Sequence, residues 1–170
     1  MGRMNQTRPR TRAAIAALGL ALLGAGCGGD QDVSPRTIRK ARMAWEKARI
    51  KNYDLEWITT GPQTDPSGTH YAVAVRDGAV KSVGMVRPDG KTAEVHPARP
   101  DFYGVDGLFL TLEEEMAQLK TDAPFNAPRG TRVVLKFTPD AKLGYPRSYR
   151  RDVLIQPKGL TIDVVRFEPR

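Results

Sequence analysis

From residue 34 to residue 169 the polar and apolar positions change period several times, and each change marks an element. In "RTIRKARMAWEKARIKN", Ile38, Ala41, Trp45 and Ala48 fall at helical spacing, one apolar stripe on an otherwise charged cylinder. Ser34 before Pro35 supplies an N-cap and a proline at the first helical position, so the helix starts there and is expected to end near Asn52. The period then drops to two. In "YDLEW", Tyr53, Leu55 and Trp57 point one way and Asp54 and Glu56 the other, the pattern of a half-buried strand. "GPQTDPSG" is a loop by composition. "HYAVAVRDGAVKSVGMV" predicts a hairpin, because Asp77-Gly78 accepts the positive φ angles of a two-residue turn. That register sets Val75 opposite Val80, with Val73 and Tyr71 on the same face. A second turn, "RPDGK", leads into the short strand "TAEVH".

After the irregular "PARPDFYGVDG", Leu108, Phe109, Leu112, Met116 and Leu119 predict a second amphipathic helix over residues 106–121. Thr111 and Glu114 have capping-box spacing, but the apolar stripe begins before them, so Asp106 is the better N-cap. Three strands follow: "TRVVLKF", a segment around "RSYRRDVLI", and "LTIDVVRF", with "PKG" as the last turn. Each element carries one apolar face and needs a partner for it. The arrangement that satisfies all of them is an α+β fold, with two amphipathic helices packed on one face of an antiparallel sheet of about six or seven strands. There is no internal repeat and no low-complexity tract, so residues 35–168 read as a single domain.

The first residues follow a different logic. Arg3, Arg8, Arg10 and Arg12 precede "AAIAALGLALLGAG", an apolar run of 14 residues closed by small ones. A basic start, a short apolar stretch and a small-residue end are the parts of a secretory signal peptide, and the run falls short of the ~20 residues of a spanning helix. No twin arginine precedes it, which favours the general secretory route. The junction resembles bacterial lipoprotein signal peptides, in which small residues stand just before a cysteine: here Gly24, Ala25 and Gly26 precede Cys27. The usual leucine three places before the cysteine is Gly24 in this chain, with Leu23 one position further back. The resemblance implies residues 1–26 as the signal peptide, lipidation of Cys27 and cleavage before it. Residues 27–34 are then the lipidated cysteine and a flexible tether, with "GGDQDV" as its linker-like part. Gly28 in place of an aspartate after the cysteine favours the outer membrane in a Gram-negative cell.

Cys27 is the only cysteine, so no intramolecular disulfide exists and the fold stands on its core. The formal charge of +8 falls to +4 once the four arginines of residues 1–26, which carry no acid, are set aside. That balance gives no reason to invoke nucleic acid.

Several segments of the domain are similar to a bacterial family known as domain of unknown function 6174. They are the first helix running into "NYDLEW", the hairpin "VAVRDGAVKSV", and "VDGLFLTLEEEM" followed by "FTPDAKLGYPRSYRRD". The family pattern falls on Tyr53, Val73, Val75, Gly78, Val80, Leu108, Phe109, Gly144, Tyr145, Pro146 and Asp152. Many of its members carry cysteines in the loop after the first strand, where this chain has "GPQTDPSG". The resemblance implies an exported, often lipidated protein and names no activity.

Candidate chemistry is sparse. His70 lies on a strand pointing away from the core and His96 precedes Pro97; neither has a nucleophile or an orienting partner in the pattern around it. Two distant histidines make no zinc site, and the consecutive glutamates 113–115 fan out over about 200° of a helix, a solvated face rather than a cation site. No catalytic residue, metal site or cofactor is expected. "LGYPRSYRRD" is the most site-like stretch. Gly144 suits a left-handed turn, Tyr145-Pro146 is a setting in which cis peptides occur, and on a strand Arg147, Tyr149 and Arg151 share one face. Tyr145, Arg147, Tyr149 and Arg151 thus form a candidate patch for an anionic partner, against the plainer reading of a turn and a polar strand face. On the first helix Arg36, Arg39, Lys40 and Lys47 form a basic face close behind Cys27, a candidate membrane-facing surface beside the plainer reading of a solvated one. The expectation is a lipid-anchored envelope protein, a non-enzymatic module that binds an envelope protein or a small ligand. The competing expectation is an accessory enzyme or inhibitor with a dispersed site, which a concave pocket with convergent titratable groups would favour.

Overall fold

A computed structural model of the chain describes residues 30–62, 64, 67–154, 156 and 159–170. The expected signal peptide over residues 1–26 and Cys27 lie outside the described residues, as does part of the "PKG" turn. The architecture is α+β, with one antiparallel sheet carrying two α-helices. The strands are β1 (Gln31–Asp32), β2 (Tyr53–Thr60), β3 (Thr69–Arg76), β4 (Ala79–Val86), β5 (Thr92–Val95), β6 (Val133–Pro139), β7 (Pro146–Val153) and β8 (Leu160–Pro169), in spatial order β1-β6-β7-β8-β2-β3-β4-β5. The sheet therefore has eight strands rather than six or seven. The extra one comes from the expected tether: Gln31 and Asp32 pair with Phe137 and Lys136, and the Val33 N–H donates to the Leu135 carbonyl. A sequence that looks like a linker forms a strand because β6 would otherwise present a bare edge.

Helix α1 (Pro35–Ala48) starts as its cap predicts. Ser34 Oγ accepts from the Thr37 N–H at 3.1 Å and Thr37 Oγ1 accepts from the Ser34 N–H at 2.9 Å. It ends four residues earlier than Asn52, because Arg49 adopts a left-handed conformation. Helix α2 (Val105–Gln118) starts one residue before Asp106, and Asp106 is not its cap. The first N–H, that of Val105, donates instead to the Tyr53 hydroxyl at 2.9 Å, so a strand side chain closes the helix end. Asp106 accepts from Trp45 Nε1 at 3.2 Å, tying α2 to α1. The region read as irregular contains a short 3-10 turn, Pro100–Tyr103.

Both helices cover the same face of the sheet. Ile38, Ala41 and Trp45 of α1 and Val105, Leu108, Phe109 and Leu112 of α2 are buried with Tyr53, Leu55, Trp57, Val73, Val75, Val83, Leu135, Phe137, Tyr149 and Ile162. Two aromatic groups fix the layers. Trp45 meets Tyr53 and Phe167 edge-on while Tyr145 stacks on Phe167 at 4.6 Å, and Trp57 packs with Tyr71 and Tyr103. Leu119, assigned to the α2 stripe, is exposed beyond the end of the helix. The β3–β4 hairpin has the anticipated turn, with Asp77 at φ 55° and Gly78 at φ 76° and Val75 opposite Val80. No peptide bond among the described residues is cis, so Tyr145-Pro146 is trans.

Candidate functional site

The stretch picked out by sequence, Tyr145 to Arg151, is not an exposed patch. A bulge sets Thr138 opposite Ser148 but Pro139 opposite Pro146, leaving Arg147 as the extra residue. Beyond it, Tyr149 and Arg151 face the helices and only Arg147 of the four is exposed. Tyr149 donates its hydroxyl to Glu115 Oε2 at 2.6 Å, and Arg151 Nη1 donates to both oxygens of Glu115 at 2.6 and 2.8 Å. The Arg151 guanidinium also lies over the Phe125 ring at 4.3 Å. Burial, then the Glu115 charge, pushes the Tyr149 hydroxyl far above its ordinary value. Tyr149, Arg151 and Glu115 form a clamp between β7 and α2, so the four residues do not share one exposed face. Glu115, expected on a solvated face, is the half-buried centre of that clamp; Glu113 pairs with Arg42 of α1 at 2.9 Å.

The face of the sheet that no helix covers holds the larger concavity, a trough of about 590 Å³. Its floor is made of outward positions with little or no side chain: Ala72 and Ala74 on β3, opposite Gly84 and Ser82 on β4. Gly84 keeps the floor low where β5 comes close; a β-carbon there would lie 2.2 Å from Thr92 Cγ2. Thr92 and Glu94 of β5 form one wall. The other wall rises from β2 and β8, where Asp54 stands opposite Glu168 and Glu56 opposite Arg166.

That second wall is a continuous charge ladder. Asp54 accepts from Arg76 Nη2 at 2.7 Å and from Arg170 Nε at 2.7 Å. Arg166 bridges Glu56 and Glu168, each at 2.8 Å, and Arg170 also reaches Glu168 at 3.3 Å. Burial by itself would raise the Asp54 carboxyl, but the hydrogen bonds and charges of Arg76 and Arg170 outweigh it and hold that group below the usual aspartate value of 3.8. The Arg166 hydrogen bond does the same for Glu168, and its partners hold Arg166 firmly protonated. A folded-state pKa below the unfolded one contributes stability above the unfolded value, lost as pH falls through the folded one. The stability lost in Asp54→Asn is therefore expected to be full at neutral pH and to shrink as pH drops below about 4, measured by thermal unfolding of both proteins across pH. A gap that widens on acidification contradicts this sign.

The remaining candidates fall elsewhere. His70 lies on the uncovered face, as its strand position requires, and its Nε2 is 3.1 Å from Glu56 Oε2, a contact with the outer end of the ladder. His96 is exposed past the end of β5. No group of three histidine, cysteine or acidic residues suited to a metal exists among the described residues. No described helix is long and apolar enough to cross a membrane. Arg36, Arg39, Lys40 and Lys47 are all exposed on α1. Sequence reasoning did not single out Arg166, Glu168 and Arg170. Their alternation on the last strand was visible, but the pairing of β8 with β2, which makes them a wall, joins residues over a hundred positions apart. No family model matches the chain, and no curated protein matches it.

Proposed function

We propose that this protein is an exported, lipid-anchored module of the bacterial envelope that binds an extended polypeptide segment on the uncovered face of its sheet. The observation that carries the reading is the trough itself. Both helices pack on one face, while the other keeps a cavity within the volume range of ligand sites. A floor of alanine, serine and glycine admits a backbone at close range, and no aromatic platform is present to stack a planar ligand. The Arg166–Arg170 ladder on one side and Glu94 on the other offer partners of both signs to alternate side chains of an extended chain. The carboxylates of the wall meet arginines instead of one another, which supports recognition over proton transfer. The address rests on the amino-terminal pattern ending at Cys27, and the segments similar to domain of unknown function 6174 point the same way.

The reading is tested with a photo-crosslinking amino acid placed at Ser82 in the trough or at exposed Leu110 on α2, in cells of the native envelope. An adduct specific to position 82, abolished by Ala74→Trp filling the floor, is the expected result. The same adducts from both positions, or an adduct indifferent to Ala74→Trp, overturns it.

A further inference from the structure

The first helix turns a second surface outward, and its composition is selective. Successive helical residues advance by about 100°, so Arg36, Arg39, Lys40, Met43 and Lys47 lie on one stripe about 100° wide. The stripe is opposite the buried Ile38 and Trp45. The only acid of the helix, exposed Glu46, lies at the stripe's edge, about 20° beyond Arg39. None of the stripe's four cations makes an ion pair among the described residues, whereas Arg42, just off the stripe, is paired with Glu113. At its centre Met43 is 62% exposed, more than any other large apolar side chain described. A flexible apolar side chain ringed by unpaired cations is the chemistry of a surface for anionic lipid: the methionine enters the interface while the cations meet phosphate groups.

The start of the fold shortens the distance to such a surface. Because β1 pairs with β6, and Thr138 Oγ1 donates to Asp30 Oδ1, the chain is already tied to the sheet at residues 30–32, ahead of residue 35. Only two residues, Gly28 and Gly29, stand between Cys27 and Asp30, and the three steps between them reach about 11 Å at most. A domain on so short a lead cannot tumble freely above its anchor.

We infer that the α1 stripe of Arg36, Arg39, Lys40, Met43 and Lys47 lies against the anionic phospholipid surface that holds the protein, so that the trough on the opposite face of the sheet is presented away from the bilayer. This rests on the lipid-anchor reading of Cys27 and adds to it a fixed orientation. The stripe supplies charge and an apolar wedge, the short lead supplies proximity, and the helix layer between them and the trough makes the two surfaces face opposite ways.

Lipidation consumes the Cys27 thiol, so a cysteine introduced elsewhere is the single labelling site. The full chain, processed in cells and reconstituted in phosphatidylglycerol–phosphatidylcholine vesicles, is labelled with a fluorophore at Met43→Cys or at Ser82→Cys, and quenched by spin-labelled lipid. Quenching at 43 and none at 82 is the expected result. That quenching is also expected to be lost in pure phosphatidylcholine vesicles and in the Arg39→Glu, Lys40→Glu background, although the protein still floats with the vesicles. Intact mass separates the two ways of failing. Lipid on Cys27 with position 43 unquenched, or quenched no more than 82, overturns the orientation and leaves the anchor standing. An unmodified Cys27 in protein that does not float overturns the anchor, and the orientation with it.

Discussion

Arg151→Met is expected to destabilise the domain by about 3–5 kcal/mol, well beyond what a surface substitution does. Arg151 and Glu115 keep only 13% and 14% of their side-chain surface, and the carboxylate has the Arg151 Nη1 and the Tyr149 hydroxyl as its donors. Removing the guanidinium leaves a charge between β7 and α2 with one neutral partner. Removing both charges, in Glu115→Leu with Arg151→Met, leaves no half-buried ion unpaired, so the double variant is expected to be more stable than Arg151→Met alone. Urea unfolding of the wild type, both single variants and the double variant at neutral pH measures the coupling. Additive losses would mean that the pair behaves as two independent surface groups, against the geometry.

That clamp also marks where the sequence stopped being readable. Periodicity located α1, β2 and the β3–β4 hairpin because each is decided by neighbours in the chain: the Ser34–Thr37 cap, the alternation of Tyr53, Leu55 and Trp57, the Asp77-Gly78 turn. The features that went astray depend on partners far away. A single bulge after Thr138 exchanges the faces of β7, so Tyr149 and Arg151 point inward although simple alternation from Arg147 puts all three together. Glu115 looks solvated on its helix until β7 arrives beneath it. Asp106 looks like a cap until the Tyr53 hydroxyl takes that place and Trp45 claims the carboxylate. Asp54 and Glu56 read as the wet side of a half-buried strand, which they are, yet their arginine partners come from the end of the chain. Local chemistry fixes which residues face out. Only the order of the strands, with β8 inserted between β7 and β2, decides which of those residues meet.

The strand order also makes the position of α1 depend on one glycine, and Gly144→Ala is expected to cost about 2–4 kcal/mol. Gly144 sits at φ 80° in the β6–β7 turn, and a β-carbon there would lie 2.4 Å from the Ala41 carbonyl oxygen and 2.7 Å from Ala44 Cβ. The first contact is with helix backbone, so no rotamer change relieves it and α1 must move off the turn. Gly78→Ala separates the two contributions. It shares the positive φ, at 76°, but nothing lies within 4 Å of its would-be β-carbon, so it carries the conformational strain alone, about 1–2 kcal/mol. Gly144→Ala is therefore expected to exceed Gly78→Ala by about 1–3 kcal/mol in urea unfolding. Its effect should also reach the fluorescence of Trp45, whose backbone nitrogen is 3.2 Å from the added carbon. Equal losses in the two variants would show that α1 yields without resistance. Packing could not then hold the Arg36–Lys47 stripe in a fixed attitude to the sheet, and the opposition of stripe and trough would lose its mechanical basis.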